Sequence, residues 1–515
     1  MSPRVEFLNS NMLEQIKAAR NIHVVGVSGT EGAAIAAFLL SLSVSFVAHD
    51  FSEEKFFLRN FNTNHFGYLA SRRAKLLKKV LANQQVCFQK NYLDGIEKAD
   101  LIFVSQNWEA YSPNQKLKAI FEKNPSIFAT ITQLYFQLFP GKILAVTGTN
   151  GKSTTTKLIA EIMLSGRQSS KRVDTSRQTV DKKSGKIYFT GNDRRNIQIL
   201  DQLRNWRKTD WLVVEVSNRQ LKFPLGRAPE IGVITNVSPN HLNEYIGGFS
   251  AYKSGKLQLI AEQKKGDIAV LNYDNIVTKS FIKKARALAK PFSTKTKLST
   301  GVYIDDAWIV EKRSAVHLPT GRQARQTKIC PLDKIKVLGE HNLANILAAV
   351  AATRSAGVSA KVICAAIAKF RGIPQRLEVV LKRNGVKFIN DSASTTPEST
   401  IAALESFPKA SVRLIAGGES KGMDYATLAR EIKRQKTRVV LLESPLAEIL
   451  GPRLRKEKIS FTLVKTLQEA VKISAQNAVK GDAVLLSPAA AWFCYFTGKI
   501  PLGGRGFEQF VKTLA

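Results

Sequence analysis

The sequence is poor in cysteine, in acidic residues and in long apolar runs, and each shortage excludes a class of protein. Its four cysteines are far apart and form no C-x-x-C pair, which argues against a disulfide framework and a cysteine zinc site and is typical of a reducing cytoplasm. The longest mostly apolar run, 33–48, is too short and too interrupted by serine to span a bilayer. Residues 1–21 lack the apolar segment of a signal peptide. We therefore expect a cytoplasmic protein without a membrane span.

The shortage of acidic residues leaves a strongly basic chain. It has 77 Lys and Arg against 41 Asp and Glu, a net charge of +36. Such a charge is compatible with binding to nucleic acid or to an anionic membrane surface. However, the basic residues are spread along the chain, with only modest clusters such as 72–75 and 433–436. We favour a basic surface, which would also suit a very anionic small substrate.

The 515 residues are enough for two to four domains. Strand and helix signals alternate throughout, and the pattern restarts near residues 140 and 370. The sequence therefore predicts an α/β protein of three domains: a Rossmann-like N-terminal domain (1–132), a central P-loop ATPase-type domain (133–372) and a Rossmann-like C-terminal domain (373–515). The predicted strands are 22–27, 44–48, 99–105, 211–216, 231–237, 269–272, 386–390, 412–416, 439–442 and 483–486.

A phosphate-binding loop is the strongest single motif. The apolar run 143–146 predicts a buried strand, and a helix follows a turn that contains Gly148 and Gly151. The turn can direct backbone N–H groups at a phosphate, Lys152 can reach the terminal phosphates, and the Ser153 hydroxyl can bind Mg²⁺. The strict pattern G-x-x-x-x-G-K-[ST] is not met, because Val146 replaces its first glycine. A coincidental turn is the alternative, but the flanking strand and helix argue against it.

A second glycine turn, G-x-x-G-x-x-G over 26–32, follows the first predicted strand. The next predicted strand ends at His49-Asp50, so the segment begins as a Rossmann-type βαβ unit does. The spacing is not G-x-G-x-x-G, and a NAD site, a UDP-sugar site and a structural turn all remain open. A NAD-dependent oxidoreductase would rest on this turn alone.

Two metal-binding side chains are predicted beside the phosphate loop. Glu215 and His241 lie near the ends of two middle-domain strands, where parallel sheets bind ligands. A carboxylate and an imidazole there suggest cation ligation, although either residue alone is more often structural. Further along, the basic segment 312–328 has the composition of a loop.

The order of these motifs resembles that of the Mur ligase family. The resemblance is strongest over 142–272 and from 339 to the end, and fainter over 1–130. The segments that carry it are 147–154 (the ATP loop), 191–192, 215–221, 235–242, 251–256, 339–345, 376–378, 390–395, 416–422 and 486–491.

The resemblance implies a set of site residues. Those implied for ATP are Gly148, Thr149, Asn150, Gly151, Lys152, Ser153, Thr154, Asn342, Asn345, Arg376 and Asp391. Those implied for Mg²⁺, with two ions expected, are Ser153, Glu215, His241 and Lys256, the last as a carbamate that turns a cation into an anionic ligand. The resemblance also implies that the N-terminal domain (1–132) binds the UDP-sugar and the C-terminal domain (373–515) binds the amino acid. Those implied for substrates are Ser28, Gly29, Asp50, Asn192, Ser217, Gln220, Thr395, Lys421 and Ser487. The implied catalytic residues are Lys152, Lys256, His241 and Asp391.

The resemblance also implies a reaction, which is ATP-driven amide formation through an acyl phosphate. Within the family the nearest likeness is to members that add D-glutamate to UDP-N-acetylmuramoyl-L-alanine during cytoplasmic synthesis of peptidoglycan precursors. A monomer that binds no nucleic acid is expected. The alternatives are another Mur-type or folylpolyglutamate-type ligase with a different amino acid, and a basic P-loop protein that binds nucleic acid.

Several positions depart from the family pattern. Ser105-Gln106-Asn107 replaces a Ser-Pro-Gly, Asn218-Arg219 replaces a Ser-Phe, and Asn240 replaces an Asp. Trp492 and Cys494 stand where the D-glutamate-adding members typically have Ser and Asp. A bulky ring at residue 492 would reshape the pocket for the amino acid, so ATP use is predicted more firmly than D-glutamate specificity.

Overall fold

The computed structural model describes residues 12–65, 68–81, 86–168, 185–191, 197–239, 245, 247–313, 325–407, 411–420, 423–490 and 504–513. They form two compact units. The first unit comprises Met1–Lys334 with Ala344–Ile367, and the second comprises Ile335–Leu343 with Ala368–Ala515. The predicted first domain (1–132) and most of the predicted central domain (133–372) fall within the first unit, whereas 335–343 and 368–372 belong to the second.

The N-terminal part of the first unit is a parallel sheet with helices around it. Its strands are β1 (Ile22–Val25), β2 (Val47–Asp50), β3 (Val86–Phe88), β4 (Leu101–Phe103) and β5 (Phe128–Ala129), in the order β3-β2-β1-β4-β5. Its helices are α1 (Met12–Ala18), α2 (Thr30–Ser41), α3 (Glu54–Asn64), α4 (Ala70–Leu81), α5 (Gln115–Lys123) and α6 (Ile131–Leu138). The strand order reverses at β1, which confirms the Rossmann-like prediction and directs the glycine turn after β1 to the usual ligand edge.

A larger mixed sheet forms the rest of the first unit. Its strands are β6 (Lys142–Thr147), β7 (Ile187–Thr190), β8 (Trp211–Glu215), β9 (Ile231–Ile234), β10 (Ile268–Asn272), β11 (Leu288–Ser293), β12 (Gly301–Asp305), β13 (Trp308–Arg313) and β14 (Arg325–Pro331). Its helices are α7 (Lys152–Gln168), α8 (Gly248–Ala261) and α9 (Ile276–Ile282), with most of α10 (Glu340–Ser355) and α11 (Ala360–Lys369). The sheet order is β14-β13-β12-β11-β10-β9-β6-β8-β7. Because β6 pairs in parallel with both β8 and β9, the carboxyl ends of these three strands meet at one edge.

Two sequence-based expectations are corrected in this sheet. The basic segment 312–328 was expected to be a loop, but both of its ends, Lys312 with Arg313 and 325–328, are strand residues of an antiparallel β13–β14 pair, while 314–324 lie outside the described residues. Long basic side chains are common on outer strands, where they discourage further strand pairing. The cysteine spacing argued against a disulfide framework and gave no sign of a pairing, yet Cys330 on β14 and Cys364 on α11 are bonded, with Cα atoms 4.9 Å apart. Tertiary proximity decides such a pairing, and sequence spacing does not reveal it.

The second unit contains a six-stranded sheet within its described residues. Its strands are β15 (Glu378–Arg383), β16 (Val386–Asn390), β17 (Val412–Ala416), β18 (Arg438–Leu442), β19 (Phe461–Val464) and β20 (Ala483–Leu486), in the order β15-β16-β20-β17-β18-β19. Its helices are α12 (Pro397–Glu405), α13 (Ala426–Arg434), α14 (Pro445–Lys456), α15 (Leu467–Gln476) and α16 (Gly504–Thr513). Asn390 and Leu486 are direct partners of the parallel β16–β20 pair, so the segments after these strands emerge side by side.

Within the described ranges, the helices are all too short or too polar to cross a membrane.

Candidate active site

The phosphate loop connects β6 to α7 and has the conformation that its glycines allow. Gly148 and Gly151 have φ angles of 147° and 82°, where residues with a Cβ are strained. A Cβ at Gly148 would also collide with the Thr235 hydroxyl, and one at Gly151 would collide with the Asn345 side chain. Asn345, predicted to lie near ATP, is therefore in place against the loop.

The segment after β9 also holds the phosphate loop in place through hydrogen bonds. The Thr149 N–H donates to the Asn236 carbonyl oxygen (2.9 Å), and the Asn150 N–H donates to the Asn236 side-chain oxygen (3.0 Å). The Thr235 hydroxyl donates to the Asn150 carbonyl oxygen (2.6 Å). Sequence reasoning did not identify Thr235 and Asn236 as loop supports, since only the fold brings β9 beside β6.

Lys152 is the first residue of α7 and lies over the loop. Its Nζ donates to the carbonyl oxygens of Gly148 (3.0 Å) and Thr149 (2.9 Å). Ser153 follows on the partly exposed first turn, and Thr154 is buried. The start of a helix offers free N–H groups and positive potential. The ammonium and these N–H groups together make an anion-binding cradle.

Lys256, on α8, is completely buried below the loop. Its Nζ donates to the Thr147 hydroxyl (3.1 Å) at the end of β6. Burial lowers the pKa of Lys256 well below its usual value, repulsion by Lys152 lowers it further, and Glu215 partly opposes both effects. A lower pKa favours the neutral amine, which is the nucleophilic form of a lysine.

Glu215 ends β8 and is buried, and Val146 of β6 is its register partner. A buried carboxylate and the Ser153 hydroxyl are hard oxygen donors of the kind that Mg²⁺ prefers, so these residues fit the predicted ion. The third predicted ligand, His241, lies outside the described residues. Among the described residues there is no cluster of three His, Cys, Asp or Glu side chains that could hold a metal.

The loop after Glu215 is closed by a reciprocal pair of hydrogen bonds. The Ser217 N–H donates to Gln220 Oε1 (2.8 Å), and the Gln220 N–H donates to Ser217 Oγ (3.2 Å). Gln220 Nε2 also donates to Glu31 Oε1 (3.3 Å). Glu31 was not among the site residues predicted from the sequence, although an acidic residue inside a glycine turn before an apolar helix could have indicated a functional role.

In the N-terminal sheet, Asp50 organises the turn that was predicted to bind the nucleotide-sugar. Its carboxylate accepts hydrogen bonds from the backbone N–H groups of Ser28 (2.7 Å) and Ser52 (3.2 Å) and from the Ser52 hydroxyl. Asp50 is completely buried, and the Gly29 N–H donates to the Gly26 carbonyl oxygen (2.9 Å). Asp50 thus fixes the shape of this turn. Asn192, assigned to the same substrate, lies outside the described residues.

In the second unit, Asp391 follows β16 and is buried. Its carboxylate accepts hydrogen bonds from the Leu377 N–H (3.1 Å) and the Ser487 hydroxyl (2.8 Å). Burial raises the pKa of Asp391 to about 6, and these donors oppose that rise. The Ser487 hydroxyl also lies 2.8 Å from the Thr400 hydroxyl, so Ser487 holds Asp391 in place.

The other predicted residues of the second unit are arranged around its start. Arg376 is exposed between Gln375 and Leu377, whose φ angles of 67° and 46° make this a strained turn. Asn342 Nδ2 donates to the Leu338 carbonyl oxygen (2.6 Å). Thr395 is exposed just before α12. Lys421, Trp492, Cys494 and Asn240 lie outside the described residues.

The first unit thus defines a class of protein: a P-loop α/β protein whose phosphate loop adjoins a buried lysine and an acidic strand end. Models of protein families identify it further. The Mur ligase middle domain matches residues 146–353, and the Mur ligase glutamate ligase domain matches residues 375–490.

Curated relatives cover most of the chain. The protein from Thermoanaerobacter sp. (strain X514) named UDP-N-acetylmuramoylalanine–D-glutamate ligase is 32% identical over 432 residues, which are 83% of this chain and 86% of that protein. The protein of the same name from Ruminiclostridium cellulolyticum is 30% identical over 518 residues, which cover 98% of this chain and all of the relative. The chain therefore belongs to the Mur ligase family of ATP-dependent ligases.

Solved structures agree on the fold. The UDP-N-acetylmuramate-alanine ligase from Thermotoga maritima aligns with a TM-score of 0.55 at 18% identity, over 96% of this chain and 100% of that one. A pseudomurein peptide ligase type C from Methanothermus fervidus aligns with a TM-score of 0.53 at 16% identity, over the same shares. These likenesses support the predicted three-domain α/β architecture.

Proposed function

We propose that this protein joins D-glutamate to the carboxylate of UDP-N-acetylmuramoyl-L-alanine, with hydrolysis of ATP to ADP and phosphate. The observation that carries the proposal is the likeness, over 83% of the chain, to a relative that is named for this activity. The step belongs to the synthesis of peptidoglycan precursors, and we propose that the protein performs it in the cytoplasm as a monomer without nucleic acid.

The phosphate loop serves the first half of this reaction. A carboxylate is a poor electrophile, so the terminal phosphoryl group of ATP is transferred to it to give an acyl phosphate, with ADP as the leaving group. Two anions have to meet in that step, and Lys152 with the loop N–H groups offsets their repulsion. The amine of D-glutamate then attacks the acyl carbon, phosphate leaves, and the amide forms. Catalysis is mainly charge neutralisation and positioning.

The metal requirement follows from the same charges. Mg²⁺ would neutralise phosphate oxygens, with Ser153 and Glu215 as ligands of one ion, and His241 with a carbamylated Lys256 as ligands of a second. The buried position of Lys256 supports carbamylation, because its neutral amine can attack carbon dioxide and lose a proton. The carbamate would place an anion where an ammonium would repel a cation.

The remaining residues are assigned to binding. Asp391 would hold the ammonium of the incoming amino acid or take its proton, for which a pKa near 6 suits a base at neutral pH. Thr395, Lys421 and Ser487 are assigned to the amino acid, directly or through Asp391. The residues assigned to the nucleotide-sugar are Ser28, Gly29, Asp50, Asn192, Ser217 and Gln220, and those assigned to the rest of ATP are Asn342, Asn345 and Arg376.

A substrate panel tests the proposal. Purified protein is given ATP, Mg²⁺ and UDP-N-acetylmuramoyl-L-alanine with D-glutamate, L-glutamate, L-lysine, glycine or no amino acid, and amide products are identified by mass. We expect an amide product with D-glutamate and with none of the other amino acids. A product with another amino acid instead would support the ligase chemistry and overturn the D-glutamate assignment. Trp492→Ser would then be the first substitution to test.

A further inference from the structure

Glu31 is a buried carboxylate whose two oxygens face two different parts of the first unit. It lies in the glycine turn on the first turn of α2 and is 7% exposed. Its Oε2 accepts a hydrogen bond from the backbone N–H of Gln106 (2.8 Å), in the loop after β4. Its Oε1 accepts one from Gln220 Nε2 (3.3 Å), in the loop after β8. A single side chain therefore joins the N-terminal sheet to the ATP-binding sheet.

The contact with Gln220 fixes more than one side chain. The Gln220 amide donates to Glu31 and accepts from the Ser217 N–H (2.8 Å), so its orientation is determined from both ends. Ser217 follows Glu215, the proposed metal ligand, by two residues. The chain of contacts from Glu31 thus ends at the backbone that presents Glu215.

Two partly buried polar contacts lie beside this buried one. Arg219 donates to the side-chain oxygen of Asn107, and Lys222 forms an ion pair with Glu109. They connect the same two loops, 105–109 and 215–222, that Glu31 connects. The loops therefore share an extended polar contact, and Glu31 is its buried member.

We propose that Glu31 is a positioning residue that, through Gln220 and Ser217, keeps the loop after β8 in register with the glycine turn that binds the nucleotide-sugar. The inference rests on the proposed function and deepens it. Glu31 itself is assigned no contact with a reacting atom. Its loss should weaken binding of UDP-N-acetylmuramoyl-L-alanine, whose two ends would occupy the two parts that Glu31 joins, and should leave the binding of ATP to the loop of residues 148–153 largely unchanged.

The ionisation of Glu31 offers a readout that a merely structural residue would not give. Burial raises the pKa of Glu31 to about 7, while its bonds to Gln106 and Gln220 oppose the rise. Tyr135, whose own pKa is raised mainly by burial and also by Glu31, is a titratable neighbour and stays neutral near pH 7. When the Glu31 carboxylate is protonated below pH 7, one of its two acceptor oxygens becomes a donor that faces an N–H group. KM for the nucleotide-sugar should therefore rise as the pH falls.

The experiment measures KM and kcat for both substrates in the full-length enzyme between pH 6 and 9, with Glu31→Gln and Glu31→Ala. We expect Glu31→Gln to raise KM for UDP-N-acetylmuramoyl-L-alanine roughly ten-fold, the effect of losing about one buried hydrogen bond. Glu31→Ala removes both acceptors and should raise this KM further, and KM for ATP should be unchanged in both variants. Glu31→Gln should also remove the rise in KM below pH 7. The control is Glu97→Gln, which changes an exposed carboxylate just before β4 that pairs with Lys116, and it should behave as wild type.

A double exchange tests the contact itself. The double variant Glu31→Gln with Gln220→Glu keeps a donor opposite an acceptor in all three hydrogen bonds: Gln106 with residue 31, residue 31 with residue 220, and Ser217 with residue 220. It should therefore reverse most of the increase in KM that Glu31→Gln causes. Wild-type KM and pH profile in both single variants would overturn the inference, as would failure of the exchange to recover binding. These results require an active wild-type enzyme, whereas a wild type that forms no amide would instead overturn the proposed function. Thermal unfolding of each variant shows that a loss of binding is not a loss of folding.

Discussion

The guanidinium of Arg219 donates a hydrogen bond to the side-chain oxygen of Asn107, and both residues depart from the family pattern. Asn107 stands where that pattern has glycine, and Arg219 stands where it has phenylalanine. A glycine could not accept this bond, and a phenylalanine could not donate it. The two departures are therefore explained together, as one replacement contact between the loop after β4 and the loop after β8.

A double-mutant cycle tests this pairing. Arg219→Ala and Asn107→Ala should each lower the free energy of unfolding by about 1 kcal/mol, and the double variant should lose less than the sum, with a coupling of about 0.5–1.5 kcal/mol. Urea denaturation measures all four proteins. A second cycle that combines Asn107→Ala with Lys55→Ala, an exposed residue paired with Glu53, should be additive. Additivity within a few tenths of a kcal/mol in the first cycle would show that the contact does not form.

Lys256 should carry a carbamate in the active enzyme. Protein incubated with ¹³C-bicarbonate should show a carbamate carbon signal that Lys256→Ala lacks, and that variant should lose at least about 100-fold in kcat, as expected when a charge-stabilising group is removed. Lys253→Ala, from the partly exposed face of the same helix, should keep both signal and activity. A full-activity enzyme without the signal would show that Lys256 acts as a plain amine.

The buried carboxyl of Asp391 should make the second unit less stable at neutral pH. Its folded pKa of about 6 lies above its ordinary value of 3.8. The free energy of unfolding therefore falls as the pH rises from about 4 to 6, stays at the lower value above pH 6, and is fully recovered in acid. Asp391→Asn should raise the free energy of unfolding by about 1–3 kcal/mol at pH 8 and by little at pH 4. Denaturation at both values measures the difference. Destabilisation at pH 8, or a gain that does not depend on pH, would contradict this account.

Lys152 should be needed for phosphoryl transfer and dispensable for folding. Its ammonium is held by carbonyl oxygens of the loop, and Lys152→Ala should lower kcat by at least about 100-fold with a small change in thermal midpoint. Lys157→Ala, five residues further along α7 and near Glu161, is the matched control and should stay active. Equal losses in both variants would indicate damage to the helix and not loss of the charge.

The elements predicted well from the sequence are those whose signals are local. The strand 143–146, the two glycines of the phosphate loop and the strands 386–390, 412–416 and 483–486 stand in the structure as continuous apolar runs between helical stretches. Parallel strands buried on both faces have that composition. Glu215 was placed correctly at a strand end for the same reason.

The elements that were missed depend on tertiary context. Strands β11 to β14 mix polar and basic residues because they lie toward the outer part of the sheet, so their apolar signal is weak. The pairing of Cys330 with Cys364 and the contact of Glu31 with Gln220 join residues 34 and 189 positions apart. Neither spacing has a pattern that a single sequence could reveal.

The most direct test follows the oxygen of the substrate carboxylate. UDP-N-acetylmuramoyl-L-alanine labelled with ¹⁸O in its carboxylate is incubated with ATP, Mg²⁺ and D-glutamate, and the phosphate released is analysed by mass spectrometry. An acyl phosphate transfers one labelled oxygen to phosphate as the amide forms, so the account predicts one ¹⁸O per phosphate and an equal amount of amide product. Phosphate without the label, or phosphate released equally well without D-glutamate, would contradict it.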